Sequence, residues 1–226
     1  MSNKAPDNQQ PLSNSDLLKY LKSLDFSSGF IDKLKVYYRP LVCPFVDLIG
    51  LVNEGEKVGD IGCGSGQFCL LLSQFAKPAS VFGIEIDQRL VENARQLFQK
   101  YSTVPSIFET FDGIVFPKVI GDLDIVFLND VLHHVPKPAQ ESFLANLIKG
   151  MKPGARLVLK DINGSSLLVY CNKLHDLVFA GEIGNELPHK KAEQLIQTNG
   201  MSIVSSTKKR MYVYPHYTIV AKKIKG

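Results

Sequence analysis

The stretch "KVGDIGCGSGQF", residues 57–68, decides the fold. A short apolar run closes on an acidic residue, Asp60. Three glycines then follow at alternate positions, Gly62, Gly64 and Gly66, with Cys63 between the first two. Glycines so spaced let the chain turn sharply out of a strand and let backbone N–H groups approach a ligand. A plain tight turn would use the same residues, so the neighbours must decide. The dinucleotide fingerprint G-x-G-x-x-G would place its third glycine at position 67, where this chain has Gln67.

Two carboxylates supply the missing information. Asp60 stands two residues before Gly62, where a strand would end; there it attracts a cationic group and repels a pyrophosphate. A second apolar run, "VFGIEID" (81–87), ends at Glu85, whose side chain can accept hydrogen bonds from both hydroxyls of a ribose. Ile86 follows as an apolar wall for a base. The ligand so described is a nucleoside with a ribose diol and a positively charged tail, which fits S-adenosylmethionine better than NAD.

Outward from this centre the chain alternates between strand and helix. "KVGDIG", "ASVFGIEID", a weaker "SIFET", a strong "LDIVFLND" and "ARLVLKDI" read as strands, separated by helical segments such as "QRLVENARQLFQKY" and "PAQESFLANLIKGM". Strands apolar on both faces and alternating with helices imply a parallel sheet covered on both sides. "MSIVSSTKKRMYVY" and "HYTIVAKK", joined at Pro215, read as an antiparallel hairpin that closes the sheet. Ahead of the core, residues 15–52 read as helices in two or three pieces, capped at Ser15 and broken near Pro40 and Pro44.

Composition bounds the rest. The 226 residues are 45% apolar and 21% charged, which suits a globular protein of one domain. A net charge of +4 is too small to argue for a nucleic-acid partner without a clustered patch. The four cysteines contain no C-x-x-C pair, which excludes a zinc ribbon or disulfide framework and suits a reducing compartment, hence an expected cytoplasmic location. The longest apolar stretch, "LVCPFVDLIGLV" (41–52), is too short to span a bilayer. The expected organisation is a disordered lead-in over 1–14 and one domain over 15–226. That domain divides into helices to 54, a cofactor-binding core over 55–162, a substrate-facing insertion over 163–200 and a closing hairpin over 201–226.

The ordered set "VGDIGCGSG", "GIEID", "LDIVFLNDVLHHV" and "MKPGARLVLKD" resembles the class I S-adenosylmethionine-dependent methyltransferases of the small-molecule type, over roughly residues 55–162. The resemblance implies a doubly wound seven-stranded, mostly parallel α/β sheet, Rossmann-like, whose last strand runs antiparallel. It implies S-adenosyl-L-methionine as cofactor. Gly62, Cys63, Gly64 and Gly66 would lie along its methionine part and sugar, and Asp60 would face its ammonium. Glu85 would hold the ribose, with Ile86 against the adenine and Asp112 near the adenine amino group. Asn129 would lie at the amino-acid end. Gly59 and Ala155 depart from the usual pattern without removing a ligand contact.

His133 and His134, just past the fourth strand, are the candidate catalytic residues, able to take a proton from a substrate hydroxyl or amine. His134 is placed ahead on position; a helix-start histidine without chemistry is the plain alternative. Asp130 and Asp161 end strands where some members of the family bind magnesium, but hydrogen bonding is the expectation and no metal is assigned. Arg39, with Tyr37 and Tyr38, is a candidate to cover the cofactor. The expected reaction is methyl transfer to an oxygen, nitrogen or carbon of a small metabolite or lipid-like acceptor. "NDVLHH" lacks the Pro-Pro-aromatic element of enzymes that modify exocyclic base nitrogens, so nucleic acid is not expected as partner. A nicotinamide-dependent oxidoreductase and a non-catalytic S-adenosylmethionine-binding module stay open as alternatives.

Overall fold

The computed structural model describes residues 11–24, 37–166 and 184–224. Five parallel strands come first: β1 (Lys57–Ile61), β2 (Ser80–Glu85), β3 (Ser106–Thr110), β4 (Ile125–Asn129) and β5 (Arg156–Ile162). The hairpin β6 (Met201–Met211) and β7 (Tyr214–Lys223) follows. The sheet order is β3-β2-β1-β4-β5-β7-β6, and β7 pairs antiparallel with both neighbours. The chain builds outward from β1 to β3, then returns to start again at β4. The crevice between the carboxyl ends of β1 and β4 is thus the switch point where such sheets hold ligands.

Helices α1 (Asn14–Ser23), α2 (Phe45–Ile49), α3 (Gln67–Phe75) and α4 (Gln88–Tyr101) cover one face. Their Leu17, Leu21, Phe45, Leu71 and Phe98 pack against Val58, Phe127 and Val158 of the sheet. On the other face α5 (Lys137–Gly150) and α6 (His189–Thr198) bury Leu144, Leu147 and Ile196 against Ile61, Leu128 and Leu159. Central strands are apolar on both faces because both are covered, as the sequence pattern requires; β4 is buried at every position. β3 read weakly because it is an edge strand, with only Phe108 of its five residues buried. Gly59 has a packing reason: a Cβ there would come within 2.5 Å of Leu123 Cδ1.

Three local expectations are corrected. Helix α1 is capped by Ser13, not Ser15, because Asp16 completes a reciprocal capping box: Ser13 N–H donates to Asp16 Oδ2 at 3.1 Å, and Asp16 N–H to Ser13 Oγ at 3.3 Å. Residues 37–42 stay helical through Pro40, and the break falls at Cys43 and Pro44. The hairpin turns at Tyr212 and Val213, while Pro215 lies inside β7 opposite Arg210. Its carbonyl still accepts from Asn163 N–H at 2.8 Å, but with no N–H to return the bond the β5–β7 pairing ends at Ile162↔His216. Residues 1–10 of the expected 1–14 lead-in and residues 167–183 of the expected 163–200 insertion lie outside the described residues, while Ser13 and Asn14 already belong to the cap and first turn of α1.

Candidate active site

The loop from β1 to α3 is shaped by its glycines, each for a different reason. Gly62 and Gly66 have φ of 74° and 78°, and a Cβ on either would collide, with Val131 Cγ2 at 2.4 Å and with Ala94 Cβ at 2.9 Å. These two serve the fold. Gly64 also has a left-handed φ, 54°, yet a Cβ there would meet nothing within 4 Å. Its surroundings are open, as a backbone facing a ligand requires.

Glu85, at the end of β2, fastens this loop. Its Oε2 accepts from Gly64 N–H at 3.0 Å, and its Oε1 accepts from the N–H groups of Ile86 at 2.8 Å and Asp87 at 3.3 Å. Ile86 itself is 70% exposed, an apolar side chain standing open beside that carboxylate. Asp112 is exposed at the neighbouring β3 exit, its Oδ1 accepting from Ile114 and Val115 N–H, both at 2.8 Å. Those two backbone donors, Val115 first, hold its carboxyl below the usual carboxylate range.

Asp60 is buried, 2% exposed, with Cys69 Sγ–H donating to its Oδ2 at 3.3 Å. Burial pushes its carboxyl up to about 7, with the Cys69 hydrogen bond and the nearby Arg39 guanidinium opposing and Glu85 adding to the rise. Arg39 lies 5.7 Å over the Phe45 ring. Asn129, on β4, points to the same face of the sheet as Asp60. Its Oδ1 and Nδ2 are buried and have no partner among the described residues. A buried amide with both atoms open fits a ligand end that carries a donor and an acceptor together, as an ammonium with a carboxylate does. Cationic tail, ribose and base thus each find a suitable side chain, and the residues present fit S-adenosylmethionine.

Beyond Asn129 the chain enters a left-handed conformation at Asp130, φ 55°, and then a short 3-10 turn, Leu132–His134. His133 is buried and its Nδ1 lies 2.5 Å from Asp161 Oδ1, while its backbone N–H donates to Asp161 Oδ2 at 3.1 Å. His134 is exposed, its ring 4.1 Å from that of His133. Asp130 takes a different partner. Lys160, fully buried on β5, donates to both its oxygens at 2.6 and 2.5 Å. Burial works against both charges, but the ammonium holds Asp130 well below the usual carboxylate range and the carboxylate raises Lys160. The side chains of Asp130, His133 and Asp161 bring possible ligand atoms within 4.8 Å of one another. Each carboxylate is nevertheless committed, one to the Lys160 ammonium and one to the His133 imidazole, which makes an ion pair and a carboxylate–imidazole hydrogen bond rather than an open cation cage.

The structure thus brings Asp60, Gly62, Cys63, Gly64, Gly66, Glu85, Ile86, Asp112, Asn129, His133 and His134 to the carboxyl edge of the sheet. Sequence reasoning missed the two residues that hold these in place, Cys69 and Lys160. A lysine inside the apolar run "LVLKDI" was the available signal, since a lysine buried in a strand needs an anionic partner.

A family model described as a methyltransferase domain matches residues 52–214. A carboxy-S-adenosyl-L-methionine synthase from Alteromonas mediterranea is 29% identical over 112 residues, 49% of this chain and 46% of that protein. A 27-O-demethylrifamycin SV methyltransferase from Amycolatopsis mediterranei is 27% identical over 151 residues, 65% of this chain and 54% of that one. The chain therefore spans about half the length of these curated relatives. Among solved structures, the magnesium protoporphyrin IX methyltransferase of Synechocystis with bound S-adenosylhomocysteine aligns at a TM-score of 0.66 and 23% identity, over 92% of this chain and 94% of that one.

Proposed function

The chain belongs to the methyltransferase-domain family, and on that premise we propose that it is an S-adenosylmethionine-dependent methyltransferase that methylates a hydroxyl oxygen of a small, lipid-like molecule. The observation that carries the oxygen assignment is the buried His133–Asp161 pair at 2.5 Å. A carboxylate bound to Nδ1 fixes the imidazole tautomer and leaves Nε2 as the nitrogen that takes a proton. An alcohol or phenol must lose its proton as it attacks carbon, and a base so oriented accepts it. A relative whose name places its methyl on a rifamycin oxygen supports the same class.

In this proposal the bound cofactor supplies an electrophilic methyl on a positive sulfur. Asp60 and Asn129 hold the amino-acid end, Gly64 lies along it, Glu85 holds the ribose and Ile86 covers the base, with Asp112 at its rim. Arg39 faces the cofactor carboxylate. Alignment and exclusion of water then provide most of the acceleration. His133 acts as base and Asp161 as its positioning residue. His134, outside the buried pair, has no required part.

The test is transfer of labelled methyl from S-adenosylmethionine to a panel of phenols, amines and apolar alcohols. Label should enter hydroxyl compounds in preference to amines. His133→Ala should lower kcat on the order of a hundredfold or more, as loss of a general base does, with cofactor affinity unchanged. Asp161→Asn should move the acidic limb of the pH–rate profile. Equal rates in His133→Ala and the parent protein would remove the base from the mechanism.

A further inference from the structure

The β6–β7 hairpin ends in a feature that methyl transfer does not explain. The last β5 pairing with β7 is Ile162↔His216, but β6 and β7 run on together to Met211↔Tyr214, so the tip stands beyond the sheet. It does so at the carboxyl edge, the same edge that carries the glycine loop and His133. Tyr214 anchors the tip, buried with Ile162, and its hydroxyl lies 3.5 Å from that of Tyr38. The two turn residues then point outward, Tyr212 at 73% exposure and Val213 at 43%.

Tyr212 is also held at φ 54°, a left-handed conformation that glycine or asparagine adopts at lower cost. Among the described residues neither its ring nor its hydroxyl has a partner that would justify tyrosine there. Strain retained at an exposed aromatic points to a use outside the folded chain. Its immediate neighbours on β6 are Lys208, Lys209 and Arg210, all exposed. Lys209 is paired with Asp47 at 2.5 Å, whereas Lys208 and Arg210, on the opposite face of the strand, have no acidic partner among the described residues.

We propose that this tip, Tyr212 and Val213 flanked by Lys208 and Arg210, docks the carboxyl edge of the enzyme onto an anionic lipid surface. An aromatic ring with a polar end suits the headgroup layer, and flanking cations are attracted by acidic lipids. No helix among the described residues is long and apolar enough to cross a membrane. Docked this way, the site opens toward the phase in which an apolar acceptor dissolves. The inference rests on the acceptor class proposed above, but its test uses neither acceptor nor turnover.

The full chain, loaded with S-adenosylhomocysteine, is sedimented with phosphatidylcholine vesicles containing or lacking phosphatidylglycerol. It should travel with the acidic vesicles and be released by salt. Lys208→Ala and Arg210→Ala should each weaken partitioning about fivefold. Tyr212→Gly should weaken it roughly tenfold, the loss of one buried ring, while its melting temperature holds or rises because the backbone strain is relieved. A chain that stays in the supernatant with both vesicles overturns the proposal. So does Tyr212→Gly binding as well as the parent, or retention on polyglutamate but not on vesicles, which would mark an acidic protein as the partner. Failure here leaves hydroxyl methylation standing; failure of label to enter any apolar alcohol or phenol sinks the acceptor class and leaves the vesicle result intact.

Discussion

At the scale of single residues, Asp60 carries the clearest consequence. Its carboxyl stands at about 7 in the fold against an ordinary 3.8, so the cofactor-free protein keeps a proton between about pH 4 and 7 that the unfolded chain releases. Stability contributed by that proton is present at low pH and is lost as pH rises through 7. Asp60→Asn should therefore raise the melting temperature of the cofactor-free protein most at pH 8, less at pH 5, and leave it little changed below about pH 4. The same substitution removes the charge that faces the ammonium, so cofactor affinity should fall, and in the parent protein affinity should climb from pH 6 to pH 8. A flat affinity profile by calorimetry would separate Asp60 from the ammonium. Glu85→Ala should weaken cofactor binding roughly ten- to hundredfold, the worth of hydrogen bonds to a charged group, and should also loosen the loop through the lost Gly64 bond. The acids and glycines of this site were legible because their spacing follows from one strand–loop–helix unit. Cys69 was not, since its partnership with Asp60 depends on how α3 sits against β1.

At the scale of elements, periodicity located all seven strands and the helices that cover them, because each buries its residues in the pattern its geometry demands. Boundaries failed where a local exception outweighed a general signal. Proline marks turns in most sequences, yet Pro215 is inside β7 and the turn falls on Tyr212 and Val213, neither of them a turn former. The position of the β6–β7 bend follows from the register in which β6 and β7 pair, Met211 opposite Tyr214, which local turn signals do not carry. The α1 cap moved by two residues for the opposite reason: the reciprocal Ser13–Asp16 bonds are local, and a box of that kind outranks a lone serine. His133 and His134 were both visible, but choosing between them needed β5, since only the register of that strand brings Asp161 to one imidazole.

At the scale of the whole molecule, two apolar layers enclose one polar seam along the carboxyl edge, and Lys160 with Asp130 lies at its middle. Asp130→Asn alone should destabilise the protein by about 3–5 kcal/mol, the cost of the fully buried Lys160 ammonium left without its counterion. Asp130→Asn with Lys160→Met should recover most of that loss in denaturant titrations. A single variant as stable as the parent would mean that water reaches Lys160 freely. Neither residue can be exchanged by itself without passing through a poorly folded ancestor, so lineages carrying this enzyme should keep both or replace both, and intermediates holding one should be scarce.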